Sequence, residues 1–155
     1  MDTRVAEGKD AKEITRLINA AFRKAEGFFI DRDRIDVETV QSLMEKGGFL
    51  LSEQEGRLIG CVYLEPRGNR MYLGLLSVDP ARQQAGLGSM LLKAAEQKGT
   101  HDGFDFMDLR TVNLRTDNRA FYSRRGYIEC GTEPFPSGLN PKLPCHFVLM
   151  SKRLG

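Results

Sequence analysis

The stretch from Leu75 to Glu96, LLSVDPARQQAGLGSMLLKAAE, decides how this chain is read. It opens on the end of an apolar strand and breaks at Pro80, which cannot extend a central ladder. Polar residues then lead to two glycines, Gly86 and Gly88. From there Leu87, Met90, Leu91, Ala94 and Ala95 recur at helical spacing, which predicts a helix from Gly86 to about Lys98. Glycines at a helix start have two explanations. They punctuate a tight turn, or they let an anion approach the backbone. The first four amides of a helix lack an internal partner, and the helix dipole adds about half a positive charge there. Two common phosphate motifs do not fit. A dinucleotide-binding GxGxxG needs glycine where Leu91 stands, although Asp108 falls at about the spacing of its ribose-binding acid. No GK[ST] run is present for a Walker loop.

Outward from this stretch, strands alternate with helices. TRVAEG reads as a short first strand. Asp10 is expected to cap a helix, with Glu13 completing a capping box and Ile14, Leu17, Ile18, Ala21 and Phe22 on its inner face. A second helix is expected from Asp36, with Val37, Val40, Leu43 and Met44 inward, stopping at Gly47 and Gly48. FLLSEQEGRLIGCVYLE predicts two strands around a turn at Gly56, and MYLGLLSV a strand buried on both faces. FMDLRTV is the next strand, NRAFYSRR a short helix closed by Gly126, and YIECG and CHFVLMS a final pair. This order predicts an α/β (mixed α+β) sheet, in one domain spanning 1–155.

Composition narrows the partners. The 155 residues carry 23 basic and 21 acidic side chains, a formal charge of +2, which gives no reason to expect nucleic acid or an anionic membrane. MDTRVAEGKD has no apolar core and does not read as a secretory signal. No apolar run approaches the roughly 20 residues that cross a bilayer. Cys61, Cys130 and Cys145 lie far apart, with no metal-like spacing. A cytoplasmic, reduced, metal-free protein, monomeric or homodimeric, is expected.

With these residues in place, the chain resembles the GNAT superfamily of N-acetyltransferases, in the manner of its small single-domain bacterial-type members. The family's acetyl-CoA signature, [QR]xxGx[GA] after a strand and a proline-containing loop, is matched by Gln83, Gly86 and Gly88. Its later Y-x-x-x-G-[FY] is matched by Tyr122, Gly126 and Tyr127 in FYSRRGY. The resemblance implies a seven-stranded, mostly antiparallel sheet with about four helices, splayed between the strand ending at Val78 and the one starting near Phe106. Backbone amides of Gln83, Gln84, Ala85, Gly86, Leu87, Gly88 and Ser89 would hold the pyrophosphate of acetyl-CoA. Leu76, Ser77 and Val78 would pair with its pantetheine arm. The family's asparagine is matched by Asn113, nine residues before Tyr122, whereas a count of seven lands on Arg115.

The implied activity is direct transfer of an acetyl group from acetyl-CoA to a primary amine of a small molecule or peptide. The alternative is a catalytically silent acyl-CoA sensor or interaction module of the same fold. Tyr122 is the implied proton donor to the departing thiolate; its other reading is an aromatic anchor beside Phe121. For the base, Asp108 lies mid-strand in FMDLRTV, with a plain ion pair to Arg110 as the equal alternative. Glu65 and a water chain are the others. Thiol catalysis is disfavoured, because Cys145 and His146 are adjacent in a strand and point to opposite faces, and His101 reads as a loop residue. Phe28, Phe29, Asp31 and Asp33, in EGFFIDRDRID, either receive a cationic amine or form a polar loop over two tucked phenylalanines.

Overall fold

Leu58 to Leu64 is a continuous apolar run because both faces of the strand it forms are covered. Ile59, Val62 and Leu64 face one core, while Leu58, Cys61 and Tyr63 face another. The computed structural model describes residues 2–155, apart from the side chains of Gln83, Gln84, Ala85 and Ser137. Its elements are β1 (Thr3–Val5), α1 (Ala11–Glu26), α2 (Val37–Lys46), β2 (Gly48–Gln54), β3 (Arg57–Arg67), β4 (Arg70–Val78), α3 (Leu87–His101), β5 (Phe106–Val112), α4 (Thr116–Ser123), β6 (Ile128–Pro134) and β7 (His146–Arg153). They form a mixed α/β fold around a seven-stranded sheet of order β1-β2-β3-β4-β5-β7-β6. Every neighbouring pair is antiparallel except β4 and β5.

The two cores follow from helical periodicity. Ile14, Leu17 and Ile18 of α1 and Val40 of α2 cover one face, over Phe49, Leu51, Cys61 and Tyr63. Leu87, Leu91, Leu92 and Ala95 of α3 cover the other, over Ile59, Val62, Leu73 and Met107. Asp36 caps α2 as its sequence predicts, accepting from the Thr39 amide at 2.8 Å. Asp10 occupies the N-cap position of α1 as expected, but its side chain makes no cap bond. It lies at the end of a 3-10 turn and accepts from the Glu7 amide at 2.8 Å, and Arg4 draws its other bonds away from the α1 amides. Gly99 sits inside α3 rather than ending it, because an added Cβ would stand 2.8 Å from Leu154 Cδ1. His101 is therefore the last residue of that helix, not a loop residue.

β4 and β5 are parallel partners only at Arg70↔Phe106, Met71↔Met107 and Tyr72↔Asp108. Beyond Tyr72 the strands part. On its other side β4 stays bonded to β3, but the register shifts between Cys61↔Ser77 and Tyr63↔Gly74, so Leu75 and Leu76 together oppose Val62. This is a β-bulge, and Leu75 takes φ +54, a left-handed conformation costing a non-glycine residue about 1–2 kcal/mol. The bulge bends β4 away while β5 continues along β7 to Val112↔Phe147. The fork explains a further departure from expectation. Only part of β4 is buried, because Tyr72, Gly74, Leu75 and Leu76 border open space.

A buried ion pair ties α1 to α4. Arg115 donates to Glu26 at 3.0 Å, with side chains 10% and 8% exposed, and also to Asp117 at 3.1 Å. Burial raises the Glu26 pKa more than Arg115 lowers it. Arg115→Met leaves that carboxylate buried without its partner, so urea unfolding should show a loss of about 3–5 kcal/mol. Glu26→Leu in the same chain should restore much of it, since replacing both members removes the stranded charge. A double variant no more stable than Arg115→Met would contradict this account.

Candidate active site

Two cavities meet at the fork. The first, about 590 Å³, lies between the sheet, the segment before α2 and the segment after β6. The second, about 550 Å³, lies at the start of α3. Phe22, Leu76 and Asn118 belong to both walls, so the two form one path past the bulge.

The second cavity contains most of the residues expected to bind the co-substrate. Leu76, Ser77, Val78, Gly86, Gly88 and Ser89 line it, while Leu87 turns into the core beneath. After Val78 the chain makes a 3-10 turn over Pro80–Ala85, with Asp79 accepting from the Ala81 amide at 3.0 Å. The side chains of Gln83, Gln84 and Ala85 fall outside the described residues. Gly86 then adopts φ +76 with open space where a Cβ would stand. The first α3 bond runs from the Met90 amide to the Gly86 carbonyl at 3.1 Å, so the amides of Leu87, Gly88 and Ser89 precede the helical ladder. Cations that sequence reasoning missed surround this end. Arg125 donates to Ser89 Oγ at 3.1 Å and lies over the Phe121 ring at 3.9 Å, and Lys24 and Arg124 complete the wall. Amides, a helix start and three cations form a fitting surface for a diphosphate.

Tyr122 faces the first cavity from α4, 5% exposed and packed edge-on against Phe121 and Tyr127. Its hydroxyl makes no hydrogen bond among the described residues, and burial pushes its pKa well above the ordinary phenol value. A hydroxyl in such surroundings stays protonated and can offer its hydrogen to an acceptor in the cavity.

Asp108 also lines this cavity, but its ion pair is with Arg70 rather than Arg110. Arg70 donates to both of its oxygens, at 2.6 and 2.8 Å, and Ser151 Oγ adds a third bond at 2.7 Å. Arg110 points instead to Glu133, at 2.9 Å. The Arg70 bonds hold the Asp108 carboxyl below its usual pKa, which makes it a poor proton acceptor. Asp108→Asn should leave turnover within about tenfold of wild type and cost about 1 kcal/mol of stability at pH 7. Because the folded pKa is depressed, this stabilisation is present above the unfolded value near 4 and fades as pH falls through the folded one. Denaturation curves of the two proteins should therefore converge in acid. A loss of 1,000-fold or so in turnover would restore Asp108 as the base.

The remaining carboxylates are engaged too. Glu65 accepts from Tyr63 at 2.7 Å and from Arg67 at 2.6 Å. Burial pushes its pKa up, but these two bonds outweigh burial and lower it. Asn113 lines neither cavity. Its side-chain oxygen accepts from the His146 amide at 2.8 Å, closing the end of the β5–β7 pair. Arg115 is the buried joint described above, and Asn118 is the carboxamide that reaches both cavities. Of the acceptor candidates, Phe29 is fully buried with Val112 and Phe147, Phe28 is exposed, and Asp33 pairs with Arg23. From that segment Glu26, Ile30, Arg34 and Ile35 line the cavity instead.

Among the described residues, no group of three or more His, Cys, Asp or Glu is placed to hold a metal, and no helix is long and apolar enough to cross a membrane. The ribosomal-protein-S18-alanine N-acetyltransferase of Escherichia coli superposes on 99% of this chain and 94% of its own, with a TM-score of 0.80. At 16% identity this likeness is one of fold. The S-alkylcysteine N-acetyltransferase of Bacillus subtilis is 27% identical over 139 residues, 80% of this chain and 76% of that protein. The mycothiol acetyltransferase of Acidimicrobium ferrooxidans is 31% identical over 139 residues, 78% of this chain and 41% of that protein. The chain spans about half the length, or less, of the first curated relatives it matches. Residues 11–127, which carry the forked strands, the glycine-led helix and Tyr122, match the Acetyltransferase (GNAT) family, and the chain belongs to it.

Proposed function

We propose that this chain transfers an acetyl group from acetyl-CoA directly to a primary amine. The observation that carries the reading is the fork: β4 and β5 part beyond Tyr72, and the opening joins an anion cradle to a cavity containing Tyr122. Acetyl-CoA supplies an activated acyl carbon as a thioester. The start of α3, with Arg125, Lys24 and Arg124 around it, holds the phosphates. The free edge of β4 at Leu76, Ser77 and Val78 offers backbone groups to the amide-bearing arm, as a neighbouring strand would.

The acceptor occupies the first cavity, where most ordinary amines, with pKa near 10, arrive protonated. Asp108 and Glu65 are held as ions by arginines, so the amine proton leaves through cavity water. As the N–C bond forms and the C–S bond breaks, the developing thiolate takes the Tyr122 proton, and the proton shed by the acylated nitrogen returns to the phenol through cavity water. With its pKa raised, this phenol stays protonated through the alkaline range, so its ionisation should not limit kcat below about pH 10. The relatives named for S-alkylcysteine and mycothiol favour a small-molecule amine.

The test combines calorimetry with acetyl-CoA and a thiol-release assay over amines, amino acids and peptides. Acetyl-CoA binding with amine-dependent thiol release supports the reading. Binding without release by any acceptor favours an acyl-CoA sensor, and no binding at millimolar acetyl-CoA removes both.

A further inference from the structure

Resting on the acetyl-transfer reading, we propose that the acceptor amine carries a carboxylate and that Arg34 binds it. Four arginines line the first cavity: Arg34, Arg67, Arg70 and Arg110. Arg67 is paired with Glu65 at 2.6 Å, Arg70 with Asp108 at 2.6 Å, and Arg110 with Glu133 at 2.9 Å. Among the described residues the Arg34 guanidinium has neither an ion-pair partner nor a hydrogen-bond acceptor. Its Cζ lies 5.4 Å from the centre of the Phe22 ring, and Arg110 and Tyr72 act on it only through space. The remaining acid of the cavity, Glu26, is bonded to Arg115 at 3.0 Å and reaches Arg34 only through space.

Arg34 is exposed to solvent, and so reachable by a ligand, yet it lies in a recess dense enough for desolvation to lower its pKa. A guanidinium presents five donors in a planar fork that matches the two oxygens of a carboxylate. Its place is set by the backbone. Asn19 of α1 accepts from the Arg34 amide at 2.8 Å and the Ile35 amide at 3.0 Å, and donates to the Ile35 carbonyl at 2.9 Å. The neighbouring Asp33 is tied to Arg23. The segment is therefore fixed before a ligand arrives, which lowers the entropy cost of binding.

The cavity wall also selects the kind of anion. Glu65, Asp108 and Glu133 each neutralise one of its arginines, and Glu26 is neutralised by Arg115 behind the wall, which leaves the charge of Arg34 over. A singly charged carboxylate can take the one unpaired cation, whereas a doubly charged phosphate would face surplus negative charge. Ile30, Ile35, Leu43 and Tyr72 provide an apolar surface for the body of the acceptor, and about 590 Å³ suits a small molecule. An α-amino acid with an apolar side chain combines these features.

The experiment compares matched acceptors: L-leucine against isoamylamine, and L-phenylalanine against phenethylamine. In wild type the acids should exceed the amines in kcat/KM by about 10–100-fold, the effect of one charge-assisted carboxylate contact. Arg34→Gln should bring that ratio to about 1 through a higher KM for the acids. Arg34→Lys should retain part of it, having the charge without the fork. Calorimetry with N-acetyl-L-leucine and its amide gives a readout independent of turnover: wild type should prefer the acid, and Arg34→Gln should not. Amines used as well as or better than acids by wild type, or a ratio unchanged in Arg34→Gln, would overturn the proposal. So would acids that are neither acetylated nor bound. With acetyl-CoA binding intact, any of these outcomes removes this inference alone and leaves acetyl transfer standing; if acetyl-CoA fails to bind, the acetyl-transfer reading falls and this inference with it.

Discussion

Gly86→Glu should weaken acetyl-CoA binding by about 100-fold or more, the effect of placing a like charge some 4 Å from a phosphate in partly desolvated surroundings. Gly86 has open space at its Cβ position and lines the cavity at the start of α3. Its φ of +76 adds a complication, since any side chain there is strained. Gly86→Ala separates the two effects. It carries the same backbone penalty, about 1 kcal/mol, without the charge. Both variants should lose thermal stability to a similar extent, and only the glutamate should lose acetyl-CoA in calorimetry. A glutamate variant that binds within a few-fold of wild type would place the phosphates elsewhere, and with them the reading of the whole second cavity.

Tyr122→Phe should lower kcat by about 10²–10⁴-fold while hardly changing affinity for acetyl-CoA. On the proposed reading the phosphates are held at the start of α3, and the Tyr122 side chain faces the other cavity. Stability distinguishes this role from that of an aromatic anchor. The ring packs against Phe121 and Tyr127, contacts that phenylalanine preserves. The hydroxyl makes no hydrogen bond among the described residues, so its removal should leave the unfolding midpoint unchanged or slightly raised. The combination of lost turnover, unchanged binding and unchanged stability is what a proton donor predicts. Wild-type turnover in this variant, on an acceptor that the native chain acetylates, would assign the donor role elsewhere.

Local rules carried much of the architecture. The 3.6-residue spacing in α1 and α3, the Asp36 cap and the punctuation at Gly47, Gly56 and Gly126 each depend on neighbours close in sequence, and the structure places elements accordingly. The glycine-led helix start and Tyr122 were legible for the same reason, since each belongs to a short motif. Errors arose where a distant side chain intervened. Spacing marks Asp10 as the cap of α1 but cannot show that Arg4 takes its carboxylate, and it ends α3 near Lys98 because Leu154, against which Gly99 packs, is remote in sequence. Asp108 looked like a mid-strand carboxylate in need of a role. Its partner, Arg70, lies 38 positions away and reaches it only because β4 and β5 are parallel neighbours.

By itself, then, the sequence determined the fold class, the glycine-led helix start and the aromatic residue beside the fork, because each is written in periodicity or a local motif. The tertiary structure alone decided which charges in the first cavity are already paired. Arg34, Arg67, Arg70 and Arg110 are equivalent as letters. What separates them is whether the sheet and its flanking segments bring a carboxylate within reach. Pairing of that kind depends on distance across strands and loops, and no spacing along the chain encodes it. The same holds for the fork, where the bulge at Leu75 bends β4 while β7 holds β5 in line.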